Sequence, residues 1–172
     1  MNDTPYPLTD ADQAKMLRKL LLYWDGQWFL NAVDTYGHEE AIALNARVRA
    51  SFARFEMRVT LKAVGKRRAD DLPDAMRLLE TYAKTFMGGA LRAEFVKADE
   101  VHAEVRVHRC AAFEGAKRAN LSRVDQACVA CEVLWNAWLE CLLPDSRVKV
   151  QYPTRLGKGD PLCSFIIQVE RP

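Results

Sequence analysis

Residues 101–108, VHAEVRVH, alternate strictly, with Val101, Ala103, Val105 and Val107 on one side and His102, Glu104, Arg106 and His108 on the other. A period of two is the pattern of a strand with one face on a core and the other in water. The chain before residue 90 runs at a different period. Leu17, Leu21, Trp24 and Trp28 recur at spacings of four, three and four, which makes one stripe along an α-helix. A chain that begins helical and then turns to alternation builds neither a helix bundle nor an all-β sandwich. It builds helices packed on an antiparallel sheet, the α+β class.

Capping chemistry sets the expected boundaries. Thr9 or Asp10 caps the first helix and Gly37, in TYGHEE, ends it. Glu39 and Glu40 open the second helix, where carboxylates suit the positive end of the helix dipole, and Ala41, Leu44, Val48, Phe55 and Val59 carry it toward Gly65. The two form a helical hairpin. After the charged connection GKRRADDLPD, Asp71 and Pro73 signal a third helix that stops at Gly88 and Gly89. Strands on either side of Ala98, Asp99 and Glu100 form a hairpin, and residues 111–119 form a short helix. Ser122 with Asp125 resembles a capping box for one continuous helix that Pro144 closes. SRVKVQY and PLCSFIIQVE are two further strands separated by TRLGKGD. The expectation is one domain over residues 1–172, with a helical part at 9–89 and an α+β part at 90–172.

Charge narrows the partners. The 25 Lys and Arg are interleaved with 23 Asp and Glu for a net +2, so no basic stripe for nucleic acid is present. The N-terminus MNDTPYPLTDADQ has no basic region followed by an apolar one, and no apolar run nears the ~20 residues of a bilayer span. A soluble cytoplasmic protein acting on a small molecule is expected, without nucleic acid or membrane. Five cysteines in such a chain read as free thiols or metal ligands rather than disulfides.

The stretch ACVACEVLWNAW sets Cys128, Cys131, Trp135 and Trp138 on one helical face. Two thiols three residues apart on a helix lie ~5–6 Å apart at Cβ, within reach of one metal ion. Cys110 at a strand end and Cys163 at the start of the last strand are the third and fourth candidates. Four thiolates would close a tetrahedral zinc site, and three with a water would leave a position open for catalysis. An iron-sulfur cluster is the less favoured occupant, because the spacing is not a compact ferredoxin pattern. The competing reading is core packing, since free cysteine behaves as a small buried hydrophobe. A thioredoxin-like redox pair is disfavoured with Cys128 inside the helix, and Cys141 stands apart from the set.

His108, two residues before Cys110, is the candidate general base, with a solvent-facing strand position as the alternative for it and for His102. His38 reads as a polar helix start. Trp24, Trp28 and Tyr36 against Trp135 and Trp138 form either an apolar ligand pocket or plain core. Arg54 and Arg58 are candidates to clamp a carboxylate, against simple solvation of a helix face. LGKGDP lacks the spacing and following helix of a phosphate loop.

Two resemblances follow from these residues. YWDGQWFLNAVDTYGHEEAIALNARVRASFARFEMR resembles the opening of an uncharacterised bacterial family with a Trp-rich helix. From VRVHRC to GKGDPLCSF the chain resembles the 4-vinyl reductase domain and the related L-2-amino-thiazoline-4-carboxylate hydrolase family, most specifically in "GD..C.F" at residues 159–165. That resemblance implies a 4-vinyl-reductase-like antiparallel sheet packed on helices, a small-molecule pocket and a cysteine-rich zinc site, with Cys110 and Cys163 at matching positions. The segment QYPTRLGKGD departs from the pattern, with no cysteine and no carboxylate before Asp160. The implied activity is hydrolysis of a C–N bond in a small, heterocyclic acid, by metal-assisted water or by a thiolate with His108 as base. The other readings are a ligand-sensing module with a structural zinc, and a homodimeric scaffold joined through its Trp-rich helices.

Overall fold

The computed structural model describes residues 6–170. The first five residues, part of the stretch read above as lacking a leader, lie outside it. The element order is α1 (Asp10–Tyr36), α2 (His38–Ala63), α3 (Leu72–Tyr82), β1 (Leu91–Ala98), β2 (His102–Cys110), α4 (Ala111–Arg118), α5 (Val124–Ala127), α6 (Val129–Leu142), β3 (Arg147–Thr154) and β4 (Cys163–Glu170). The α+β expectation holds.

Local chemistry places most boundaries where the sequence put them. The Thr9 side chain accepts from the Asp12 N–H, and Asp71 accepts from the Asp74 N–H at 2.7 Å ahead of Pro73. Gly37, at φ 85°, turns the chain from α1 into α2, a conformation that favours glycine. The third helix is shorter than expected. It gives way at Ala83 to a π-helical turn, Ala83–Met87, and then to a 3₁₀ turn, Gly88–Ala90, before β1.

All four strands pair antiparallel in the order β1-β2-β4-β3. The last strand is inserted beside β2, so β3, which precedes it, becomes an edge. Ala103, Val105 and Val107 of β2 face the core, and the register sets Ile167, Phe165 and Cys163 of β4 opposite them. This inner face packs with Leu72, Met76 and Leu79 of α3 and with Trp135, Leu139 and Leu142 of α6. α2 lies along α6, where Ala53 and Ala137 allow close approach.

One carboxylate is buried in this core. Glu56, 4% exposed, accepts from the Tyr82 hydroxyl at 2.5 Å and from Trp138 Nε1 at 2.7 Å, which ties α2, α3 and α6 together. Burial, with the Glu56 charge beside it, pushes the Tyr82 phenol far above its usual range. Asp74, also buried, accepts from Lys66 Nζ at 2.6 Å and Arg77 Nη2 at 3.0 Å. Burial alone would raise its pKa, but these bonds prevail and hold it at about 2.

Candidate functional site

The helix expected to run unbroken from Ser122 to Pro144 is interrupted at Cys128. α5 ends at Ala127, α6 begins at Val129, and no side chain caps the start of α5. Cys128 is therefore the N-cap residue of α6 rather than a mid-helix position, and the Cys131 N–H bonds back to its carbonyl at 3.0 Å. The CxxC pair brackets the first turn of α6.

The segment read as a turn, TRLGKGD, wraps around the same place. β3 carries one extra residue against β4 between Gln151 and Thr154, a bulge that resets the alternation of its side chains. Tyr152 packs edge-on against Phe165 on the inner face, and Arg155, rather than Thr154, follows it on that side, with its guanidinium 4.8 Å from the Tyr152 ring centre. The Leu156 N–H then donates to Cys163 Sγ at 3.3 Å. The next residue, Gly157, passes so close that a Cβ there would sit 2.7 Å from Cys128 Sγ and 3.2 Å from backbone atoms of Asp125 and Val124. Asp160 closes the loop by accepting from the Arg155 N–H at 2.7 Å. This is the local work of the Asp in "GD..C".

Four thiols thus collect at one end of the inner sheet face. Burial pushes Cys128 up to about 11, and Cys163 and Cys110 add to the rise. Burial likewise raises Cys131, followed by the effects of Cys110, Cys128 and Cys163. Cys163 is raised by burial too, against the opposing N–H of Leu156. The thiols are close enough to oppose one another's ionisation. Their chemistry suits a soft cation, and N–H groups from Leu156 and Gly157 serve two of the sulfurs. Among the described residues, however, no three His, Cys, Asp or Glu groups stand close enough together to hold an ion, so binding would require the sulfurs to draw in.

Sequence reasoning missed Arg155. Its side chain is 18% exposed, and its Nη1 pairs with Glu132 Oε1 of α6 at 2.5 Å. The Tyr152 hydroxyl donates to the Glu132 carbonyl at 3.2 Å, and burial, with Glu132 next, raises that phenol above its usual range. No periodicity marks an arginine in a Gly-rich turn. The bulge that turns it inward belongs to the register.

The other expected residues are scattered. The ladder shift between Arg92 and Ala93 leaves His108 without a partner on β1, so the alternation that would have set it on one face with Cys110 is broken there. Cys110 packs against the core, and His108 Nε2 lies 3.4 Å from the Glu94 carboxylate. Trp24 is 65% exposed while Trp135 and Trp138 meet edge-to-face in the core, so the four tryptophans line no common pocket. Arg54 pairs with Glu140 at the surface, and Arg58 is exposed on α2. Cys141 lies apart, its Sγ 3.9 Å from the Arg54 carbonyl. His38 begins α2 without making a side-chain cap, and its Nε2 is buried without a partner. A cleft of about 220 Å³ between α3 and β1, lined by Pro73, Met76, Arg77, Glu80 and Phe95, contains none of the expected site residues.

Comparison with known proteins decides the family. A model of the L-2-amino-thiazoline-4-carboxylic acid hydrolases matches residues 15–167. The chain belongs to that family. No curated protein matches it significantly in sequence. Among solved structures, this hydrolase-family chain is similar to the phenol-responsive sensory domain of the transcription activator PoxR, solved with phenol (TM-score 0.56, 15% identity, covering 88% of this chain and 74% of that one). It is also similar to a trafficking protein particle complex subunit 3 from Naegleria fowleri covalently bound to palmitic acid (TM-score 0.58, 15% identity, 91% and 97% covered). The likeness shows the 4-vinyl-reductase-like fold expected from the sequence. No helix among the described residues is long and apolar enough to cross a membrane.

Proposed function

We propose that this chain hydrolyses a C–N bond in a small heterocyclic acid of the 2-amino-thiazoline-4-carboxylate type, at the cluster of Cys110, Cys128, Cys131 and Cys163. The observation that carries this reading is the gathering of those four thiols beside Arg155, in a chain of this hydrolase family. The cysteines would hold zinc, and zinc would supply Lewis-acid activation of water. The position of His108 favours this over a thiolate nucleophile, because its ring faces the Glu94 carboxylate rather than a thiol it could deprotonate. In the reaction water adds to the ring carbon between the two heteroatoms, the C–N bond breaks, and the departing nitrogen takes a proton. The chain's own part is to seat the acid, and the aromatic wall of Tyr152, Phe165 and Trp135 keeps bulk water from the inner side.

Elemental analysis of protein purified without added metal, with turnover of 2-amino-thiazoline-4-carboxylate, tests this. About one zinc per chain, lost in both Cys128→Ser and Cys163→Ser together with turnover, is the expected result. Absence of metal from active wild-type protein would overturn the zinc assignment. A second reading, ligand binding without turnover, draws on the fold shared with a sensory domain. It predicts a raised melting temperature with ligand and no product.

We further propose that a second copy covers α1. Met16, Leu17, Leu20, Leu21, Tyr23 and Trp24 are all exposed along it, a run of large apolar side chains on one helix with no partner within the chain. Sedimentation should give a dimer in wild type and a monomer in the Leu17→Ser, Trp24→Ser double variant, and a wild-type monomer would overturn the pairing.

A further inference from the structure

Among the described residues, only three buried polar side-chain atoms lack a hydrogen-bond partner, and two of them, Thr154 Oγ1 and Arg155 Nε, are consecutive in the segment that wraps the sulfurs. A buried guanidinium N–H without an acceptor is costly, and native proteins keep few of them. Arg155 is nevertheless held firmly. Its backbone N–H is fixed by Asp160, its Nη1 by Glu132 and its plane by the Tyr152 ring. With Nη1 engaged, the fork of Nε and Nη2 is the edge left for an incoming group. That edge matches the two oxygens of a carboxylate, each accepting one N–H.

Position supports the same reading. Leu156 and Gly157, the next two residues, touch the sulfurs of Cys163 and Cys128, so the backbone that leaves Arg155 lies directly against the thiols. The guanidinium is also near enough to Cys128 and Cys163 for its charge to act on both sulfurs. We infer that Arg155 is the anion receptor beside this thiol cluster and binds the carboxylate of the substrate through its Nε/Nη2 edge. This deepens the hydrolase reading by naming the group through which the acid is selected, and it rests on that reading for the identity of the acid. Arg54 and Arg58, expected from the sequence to clamp a carboxylate, lie exposed on α2 instead.

The test is binding rather than turnover. Calorimetry on the full chain compares 2-aminothiazole-4-carboxylate, an aromatic analogue that resists hydrolysis, with its neutral 4-carboxamide, in wild type, Arg155→Lys and Arg155→Gln. Lysine keeps a cation opposite Glu132 but loses the fork, and melting temperatures report whether each variant is folded. The wild type should prefer the carboxylate by ~tenfold or more, as expected for a charge-assisted pair of hydrogen bonds. That preference should fall in Arg155→Lys and vanish in Arg155→Gln, with carboxamide affinity little changed. Equal affinity for both probes in wild type, binding of neither, or a preference that survives Arg155→Gln in folded protein would each overturn the assignment. An Arg155-dependent preference in a wild type that turns over no thiazoline would leave the receptor standing and remove only the hydrolase reading.

Discussion

α1 and α6 carry nearly the same pattern, each a helical apolar stripe with two tryptophans, at 24 and 28 in one and 135 and 138 in the other. Their fates differ. α6 lies between the sheet and α2 and buries Leu134, Trp135, Ala137, Leu139 and Leu142, whereas of the 27 residues of α1 only Ala32 is buried. An amphipathic stripe therefore states that a helix needs an apolar partner, and the rest of the chain decides whether that partner is at hand.

Substitution should separate the two helices sharply. Trp135→Ala removes a ring stacked on Phe165 at 4.9 Å and should cost ~3–5 kcal/mol in urea denaturation, while Trp24→Ala, at dilutions where the chain is monomeric, should change stability by under about 0.5 kcal/mol. Equal losses would show that α1 is as well packed as α6. A smaller effect probes how α6 is tied to α2. Glu56→Ala strands the Tyr82 and Trp138 donors, and a loss of ~2–4 kcal/mol is expected, more than for Tyr82→Phe, which leaves one donor on the carboxylate. Gly157→Ala tests the start of α6, since its methyl meets Cys128 Sγ and the α5 backbone. We expect a loss of ~1–3 kcal/mol, and unchanged stability would mean the loop does not rest on Cys128.

The smallest effect expected is one of pH. Asp74 anchors the N-terminal end of α3, and its folded pKa of about 2 lies below the ordinary carboxylate value. A depressed pKa contributes stability that is complete above about pH 4 and fades as pH falls toward 2, because the unfolded chain takes up the proton first. Acid titration of Asp74→Asn should lack this component. An unchanged acid limb would assign the loss to other carboxylates.

The π-helical turn after α3 and the break at Cys128 show where legibility ended. Thr9, Asp71 and Gly37 act through contacts within a few residues, so their chemistry was readable in advance. Ser122 and Asp125 looked equally like a cap, yet Gly157, more than thirty residues later, lies against α5 and Cys128.

By itself, then, the sequence determined the class of the fold and most of the boundaries of its helices and strands. Periodicity and capping are local properties of a chain, and they act within a turn or a strand. Tertiary structure alone decided that β4 inserts beside β2, that one bulge brings Cys110 onto the core side of β2 and another brings Arg155 inward, and that α1 is left uncovered within the chain. Each of those outcomes depends on register, and a one-residue shift in register moves side chains to the opposite face of a sheet without changing any local preference.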